Sequence, residues 1–122
     1  MRQVLYDSSF LMAVSERPTA WSEDITQLLG GHLDALPDCA RAELEQIASK
    51  GGARGSLARV ALEISARFAR VPSGGGPADD EICSLALQSG AAVATVDGAL
   101  ADTLKSLRVR VVRLKGGRVA LE

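Results

Sequence analysis

The chain has 122 residues, 47% hydrophobic and 24% charged, and its 14 basic residues nearly balance its 15 acidic ones. That composition excludes a disordered polymer, and the length suits one compact domain, residues 1–122, able to bury roughly two-thirds of its unfolded surface. No apolar run approaches the roughly 18 residues of a membrane span, and Arg2 precedes no leader-like apolar stretch, so a cytoplasmic protein with no membrane partner is expected.

Aromatic residues make up only 3% of the chain. The expected core is therefore built from Ala, Val, Leu and Ile, the usual filling of helix-on-sheet packing. Cys39 and Cys83 match no CxxC motif and read as small buried hydrophobes, with at most one disulfide between them.

Apolar residues alternate between short strand-like runs and longer helical ones, the pattern of an α/β fold with a mostly parallel sheet. Residues 3–6 form the first predicted strand. Residues 8–14 follow as a helix with Phe10, Leu11 and Val14 at helical spacing, stopped by Pro18. Ser22 reads as the N-cap of a second helix, with Glu23 and Asp24 favouring its dipole and Gly30-Gly31 ending it. Residues 32–36 are a strand candidate. Pro37-Asp38 opens a helix through Ser49, Gly51-Gly52 breaks it, and a further helix capped by Ser56 runs to about Arg70. Residues 73–76 form a loop whose Gly74-Gly75-Gly76 lacks the strand and spacing of a dinucleotide site. Pro77 enters the next helix, whose first turn carries Asp79, Asp80 and Glu81 and whose end is Gly90. Residues 91–95 read as a buried strand, 98–107 as a short helix, 109–114 as a strand, and Gly116-Gly117 as the turn into a last strand, 118–121. His32 reads as a surface or strand-edge residue, and Trp21 as core or an oligomer contact.

The near-zero net charge hides a segregation. Residues 1–40 carry −4, residues 41–70 carry +3, residues 71–104 contain acids but no base and carry −5, and residues 105–122 carry +5. The acids fall at particular places. Asp7 ends the first strand, Asp97 follows the 91–95 strand, Glu43 lies on a helix and Asp79 opens another. In open parallel sheets ligands bind at the carboxyl ends of the strands, so Asp7 and Asp97 meet in one crevice if their strands are neighbours. The natural counter-ion for an all-oxygen cluster is a hard cation, Mg²⁺ or Mn²⁺, which suits phosphoryl chemistry.

Over essentially its whole length the sequence resembles the PIN-domain ribonucleases. The resemblance rests on Asp7-Ser8-Ser9-Phe10-Leu11 after the first strand, Glu43-Leu44 on a helix, Asp79 three residues before Ile82, and Thr95-Val96-Asp97 at a strand end. It implies a three-layer α/β/α sandwich with a Rossmann-like sheet. It also implies one or two Mg²⁺ or Mn²⁺ ions held by Asp7, Asp79 and Asp97, with Glu43 acting on a bound water or second ion, and hydrolysis of RNA. Ser9 and Thr95 fit the family's small polar positions that hydrogen-bond carboxylates or phosphate. Asp80 is either a further contact or a helix-dipole residue. Arg41, Lys50, Arg54 and Arg59, on the helical hairpin near Glu43, are the candidate RNA contacts. The resemblance leaves open a toxin with an antitoxin partner or a nuclease that trims ribosomal RNA precursors within an assembly, and it implies a homodimer. A catalytically silent scaffold is the alternative.

Overall fold

The computed structural model describes residues 2–122. In chain order these form β1 (Arg2–Tyr6), α1 (Ser8–Glu16), α2 (Trp21–Leu29), β2 (His32–Pro37), α3 (Asp38–Ser49), α4 (Gly52–Ile64), β3 (Ala69–Val71), α5 (Ala78–Ser89), β4 (Ala92–Ala94), α6 (Gly98–Ser106), β5 (Val111–Lys115) and β6 (Arg118–Leu121). One six-stranded sheet runs in the order β3-β2-β1-β4-β5-β6, parallel except for the antiparallel β5–β6 hairpin. This is the α/β class and mostly parallel sheet that the periodicity predicts.

Both faces of the sheet are covered, and the strand residues alternate between them. Val4, Tyr6, Leu36, Ala92, Ala94 and Val112 face one core with Phe10, Leu11 and Val14 of α1, Ile25 of α2, Ala40 and Leu44 of α3, and Ala58 and Ala61 of α4. Leu5, Ala35, Val93 and Val111 face the other, with Ile82 and Ala86 of α5 and Leu100, Ala101 and Leu104 of α6. Burial on both faces is why these strands read as apolar runs rather than as clean alternations. Within α3–α4 the helices approach so closely that a Cβ at Gly55 would stand 3.3 Å from the carbonyl oxygens of Ile47 and Ala48. No helix among the described residues is long and apolar enough to cross a membrane.

Four features differ from the sequence reading. The aromatics, though few, concentrate in one core: Tyr6 packs edge-on to Phe10 and Trp21 with ring centroids 5.7 and 5.8 Å apart, and Phe68 lies 4.8 Å away. Trp21 is thus a core residue. Helix α2 starts at Trp21, so Ser22 lies inside it, and Asp24, in the first turn as expected, is buried. Its carboxylate accepts from Arg118 Nε and Nη2 at 2.9 and 3.0 Å and from the Val119 N–H at 3.1 Å, which fixes β6 to α2. Helix α4 starts after Gly51 rather than at a Ser56 cap and ends at Ile64, leaving room for the three-residue β3. His32 is not a surface residue. Its side chain is 7% exposed, with Nε2 at 3.0 Å from Asp34 Oδ1 and Nδ1 at 3.0 Å from the Gly30 carbonyl. Cys39 and Cys83 are both free and half-buried against the second core.

Candidate metal centre

The strand order reverses between β1 and β4, because the chain first builds β2 and β3 on one side of β1 and then returns to place β4 on the other. That switch point is where a parallel sheet opens a crevice at its carboxyl end. Tyr6 pairs with Ala94, and one residue further the Asp7 N–H donates to the Ala94 carbonyl at 2.9 Å. Asp7 therefore ends β1 beside the segment that leaves β4 through Thr95 and Val96 to Asp97. It is also the residue before α1, with extended backbone, and its carbonyl accepts the Phe10 N–H at 3.1 Å.

A directional network holds the Asp7 carboxylate, which is 4% exposed. Thr95 Oγ1 donates to Asp7 Oδ2 at 2.9 Å, and Ser9 Oγ donates to the same oxygen. Each hydroxyl also accepts a backbone donor: the Val96 N–H reaches Ser9 Oγ at 3.1 Å, and the Asp97 N–H reaches Thr95 Oγ1 at 3.0 Å. A hydroxyl has one proton to give, so these assignments commit both protons to Asp7. Oδ2 is doubly bonded, and no protein group among the described residues bonds Oδ1. Asp97 is oriented similarly. Its Oδ1 accepts the Leu100 N–H at 3.1 Å and caps α6.

Glu43 comes from α3 and Asp79 from the first turn of α5. Ser8 Oγ donates to Glu43 Oε1 at 3.2 Å, tying α1 to α3 at the edge of the site. Burial pushes the Glu43 carboxyl above its ordinary value, and the charges of Asp7 and Asp79 push it in the same direction against the Ser8 hydrogen bond. Burial also raises Asp79, with Asp7, Asp97 and then Asp80 adding repulsion. The four acids that the sequence pattern singles out are therefore electrostatic neighbours, contributed by four separate parts of the fold. Asp80 is exposed and acts on Asp79 through its charge.

None of these acids has a Lys, Arg or His within ion-pair distance among the described residues. The buried Asp7 with one oriented free oxygen, set among Asp97 and the two acids Glu43 and Asp79 whose proton affinity is raised, and with no basic partner among the described residues, fits a hard divalent cation. Among the described residues no three acid, histidine or cysteine side chains form a ready-made ligand set, so an ion bound here would keep water in part of its shell.

The four basic candidates separate. Arg54 lines a groove together with Ser8, Ser9 and Glu43. Arg59 donates to the Ala48 carbonyl at 3.3 Å near the end of α3, Lys50 is the exposed residue that closes α3, and Arg41 has its Nε buried without a partner among the described residues. The part that sequence reasoning missed is the mutual arrangement of Ser9 and Thr95. Their small hydroxyls after a strand are visible in sequence, but their shared target oxygen is not.

A family profile described as PIN like domain matches residues 4–117. No curated protein matches the chain. Among solved structures, the PIN domain endonuclease Utp24 superposes with a TM-score of 0.79 at 26% identity, over 98% of this chain and 90% of that one. VapBC2 from Rickettsia felis, solved bound to a DNA fragment from its promoter, gives 0.69 at 12% identity, over 93% and 99%. A domain of a functionally unknown protein from Methanocaldococcus jannaschii gives 0.65 at 17% identity, over 100% and 97%. At those identities the last two show the fold alone.

Proposed function

The chain belongs to the PIN-like domain family, and from that premise we propose that it is a metal-dependent endoribonuclease whose site is Asp7, Glu43, Asp79 and Asp97. The observation that carries the reading is the Asp7 carboxylate, buried at the switch point with Oδ2 locked by Ser9 and Thr95 and Oδ1 without a hydrogen bond from the described residues. The similarity to the PIN domain endonuclease Utp24 supports a nuclease over the silent scaffold, whereas the likeness to VapBC2 extends only to the fold.

Asp7, Asp79 and Asp97 would hold Mg²⁺ or Mn²⁺. When bound, such an ion acidifies water and offsets the negative charge that grows on phosphoryl oxygens. Ser9 and Thr95 keep Asp7 in one orientation, so that no rearrangement is required as the phosphate arrives. Glu43, whose affinity for a proton is raised by burial and its acidic neighbours, is suited to take the proton of the attacking water. Ser8 fixes one oxygen of Glu43, leaving Oε2 for that proton. Arg54 stands where it can meet substrate phosphate beside Glu43.

The test is cleavage of end-labelled RNA in Mg²⁺ or Mn²⁺ by the wild type and by Asp7→Asn and Asp79→Asn, with manganese binding followed by electron paramagnetic resonance. Metal binding and cleavage lost together in both variants support the reading. Wild-type protein that binds neither ion and cleaves nothing moves the silent scaffold ahead of the nuclease.

A further inference from the structure

The carboxylates gather at one end of the sheet, and the opposite end carries cations. There the chain leaves α6 and enters β5 through Arg108, Val109 and Arg110, a ridge between a cleft of about 300 Å³ and one of about 310 Å³. Lys105 and Glu122 wall the first cleft, and Leu87, Gly90 and Ala91 wall the second. Among the described residues Glu122 is the one acid lining either cleft, and Lys105 and Lys115 hold it at 3.0 and 2.6 Å. Arg108 and Arg110 are exposed and make no ion pair among the described residues. We propose that this ridge is a second contact site for the phosphate backbone of RNA, separate from the carboxylates and independent of metal. The proposal rests on the ribonuclease reading and adds to it a foothold for the substrate.

Three features point to that occupant. The first is the field along the strands. The acids at the carboxyl end repel a polyanion until a cation fills the site. The Val93 N–H donates to the Arg110 carbonyl at 3.0 Å, which sets the ridge at the start of β4, and residues 91–96 then run about 20 Å towards Asp97 at roughly 3.3 Å per residue. The second is backbone strain. Arg108, at φ +62°, is the one non-glycine residue with positive φ among the described residues, so an exposed guanidinium is held there at a cost of about 1 kcal/mol. The third is recognition chemistry. A guanidinium meets phosphate oxygens through paired N–H donors, and two on one ridge suit an anion that repeats along a chain. Leu87, 55% exposed beside them, gives a base an apolar surface to cover. An acidic polypeptide carries negative charge too, but the substrate of the proposed reaction is already a polyphosphate, and the ridge raises its local concentration.

The test is the fluorescence anisotropy of a labelled single-stranded RNA of about 20 nucleotides in EDTA, repeated over a range of salt. Wild-type protein should bind without metal. Arg108→Gly combined with Arg110→Gln should weaken binding about tenfold and reduce the slope of log affinity against log salt by about 1.4, as two phosphate contacts require. Arg108→Gly also relieves the left-handed backbone, so lost binding is not lost fold. Arg17→Gln combined with Arg67→Gln removes the same charge from exposed positions elsewhere and should stay within about twofold of wild type. In Mg²⁺ the Arg108 and Arg110 double variant should raise KM for the same RNA and leave kcat unchanged. No binding in EDTA, an unchanged salt slope, or equal losses in the two double variants overturns the site. Poly-glutamate that binds as tightly as the RNA at equal salt, and is lost with the two arginines, overturns the RNA assignment in favour of an acidic polypeptide. The two readings fail separately: cleavage that needs Asp7 but no RNA bound in EDTA removes only the second site, whereas cleavage unaffected by Asp7→Asn removes the ribonuclease reading and leaves the binding measurement standing.

Discussion

Replacing Thr95 by valine should destabilise the protein by about 3 kcal/mol, although the two side chains have nearly the same shape. Thr95 is 0% exposed, its hydroxyl donates to Asp7 Oδ2 at 2.9 Å, and it accepts the Asp97 N–H at 3.0 Å. Losing a hydrogen bond to a carboxylate costs about 1.5–3 kcal/mol, and leaving the part-buried Asp97 N–H without an acceptor adds about 1 kcal/mol, the low end for such groups. The added methyl group offsets less than about 1 kcal/mol of this through its own burial. With an unfolding entropy of about 2.1 cal/mol/K per residue, a chain of 122 residues loses about 4 °C of Tm per kcal/mol, so the expected drop is about 12 °C. Thr95→Ser keeps the hydroxyl, removes one methyl and should cost about 1 kcal/mol. Urea and thermal unfolding followed by circular dichroism, without added metal, measure both. A Thr95→Val protein within about 0.5 kcal/mol of wild type, or a serine variant no more stable than the valine one, would refute the directional network described for Asp7.

In Asp7→Asn the amide oxygen can still accept from Ser9 and Thr95 while the NH₂ takes the place of the free Oδ1. Its unfolding free energy should change by no more than about 1 kcal/mol, with metal-dependent cleavage down about a thousandfold; a gel assay and a urea melt on one preparation check this. Arg108 sits just after α6 with φ +62°, a left-handed conformation that glycine adopts more easily. Arg108→Gly should therefore raise stability by about 1 kcal/mol, seen as a higher urea midpoint with unchanged slope. Lys115 and Lys105 hold the Glu122 carboxyl down from 4.5 to about 2. A carboxyl lowered in the folded state stabilises the protein above its unfolded value and loses that contribution as pH falls towards the folded one. The stability difference between wild type and Glu122→Gln should accordingly be present at pH 7, shrink as pH falls from 4.5 to about 2, and shrink also in high salt.

Most of the secondary structure was legible because its signals are local. Phe10, Leu11 and Val14 recur at helical spacing, Pro37 and Pro77 stand just before α3 and α5, and Gly90 ends α5 in a left-handed conformation. The elements that escaped lack such signals. β3 is three residues at the sheet edge, defined by pairing Ala69–Val71 with Ala35–Pro37 rather than by its own pattern. Asp24 is the first-turn acid expected of it, but nothing near it in sequence announces its partner Arg118, which lies 94 residues away. Four aromatics were too few to suggest a cluster until the fold brought them into one.

The sequence by itself determined the alternation of strands and helices and the mostly parallel sheet, and singled out Asp7 and Asp97 after strands, Asp79 in a first helical turn and Glu43 on a helix, since each depends on periodicity or on a residue and its near neighbours. Only the tertiary structure decided which strands are adjacent. That order sets Asp7 beside Thr95 across the switch point, brings Glu43 and Asp79 into each other's field from separate helices, and opens the groove between α1, α3 and α4. Strand adjacency depends on packing between residues far apart in the chain, and a carboxylate's proton affinity depends on what burial and neighbouring charge surround it. Neither is written in any local stretch.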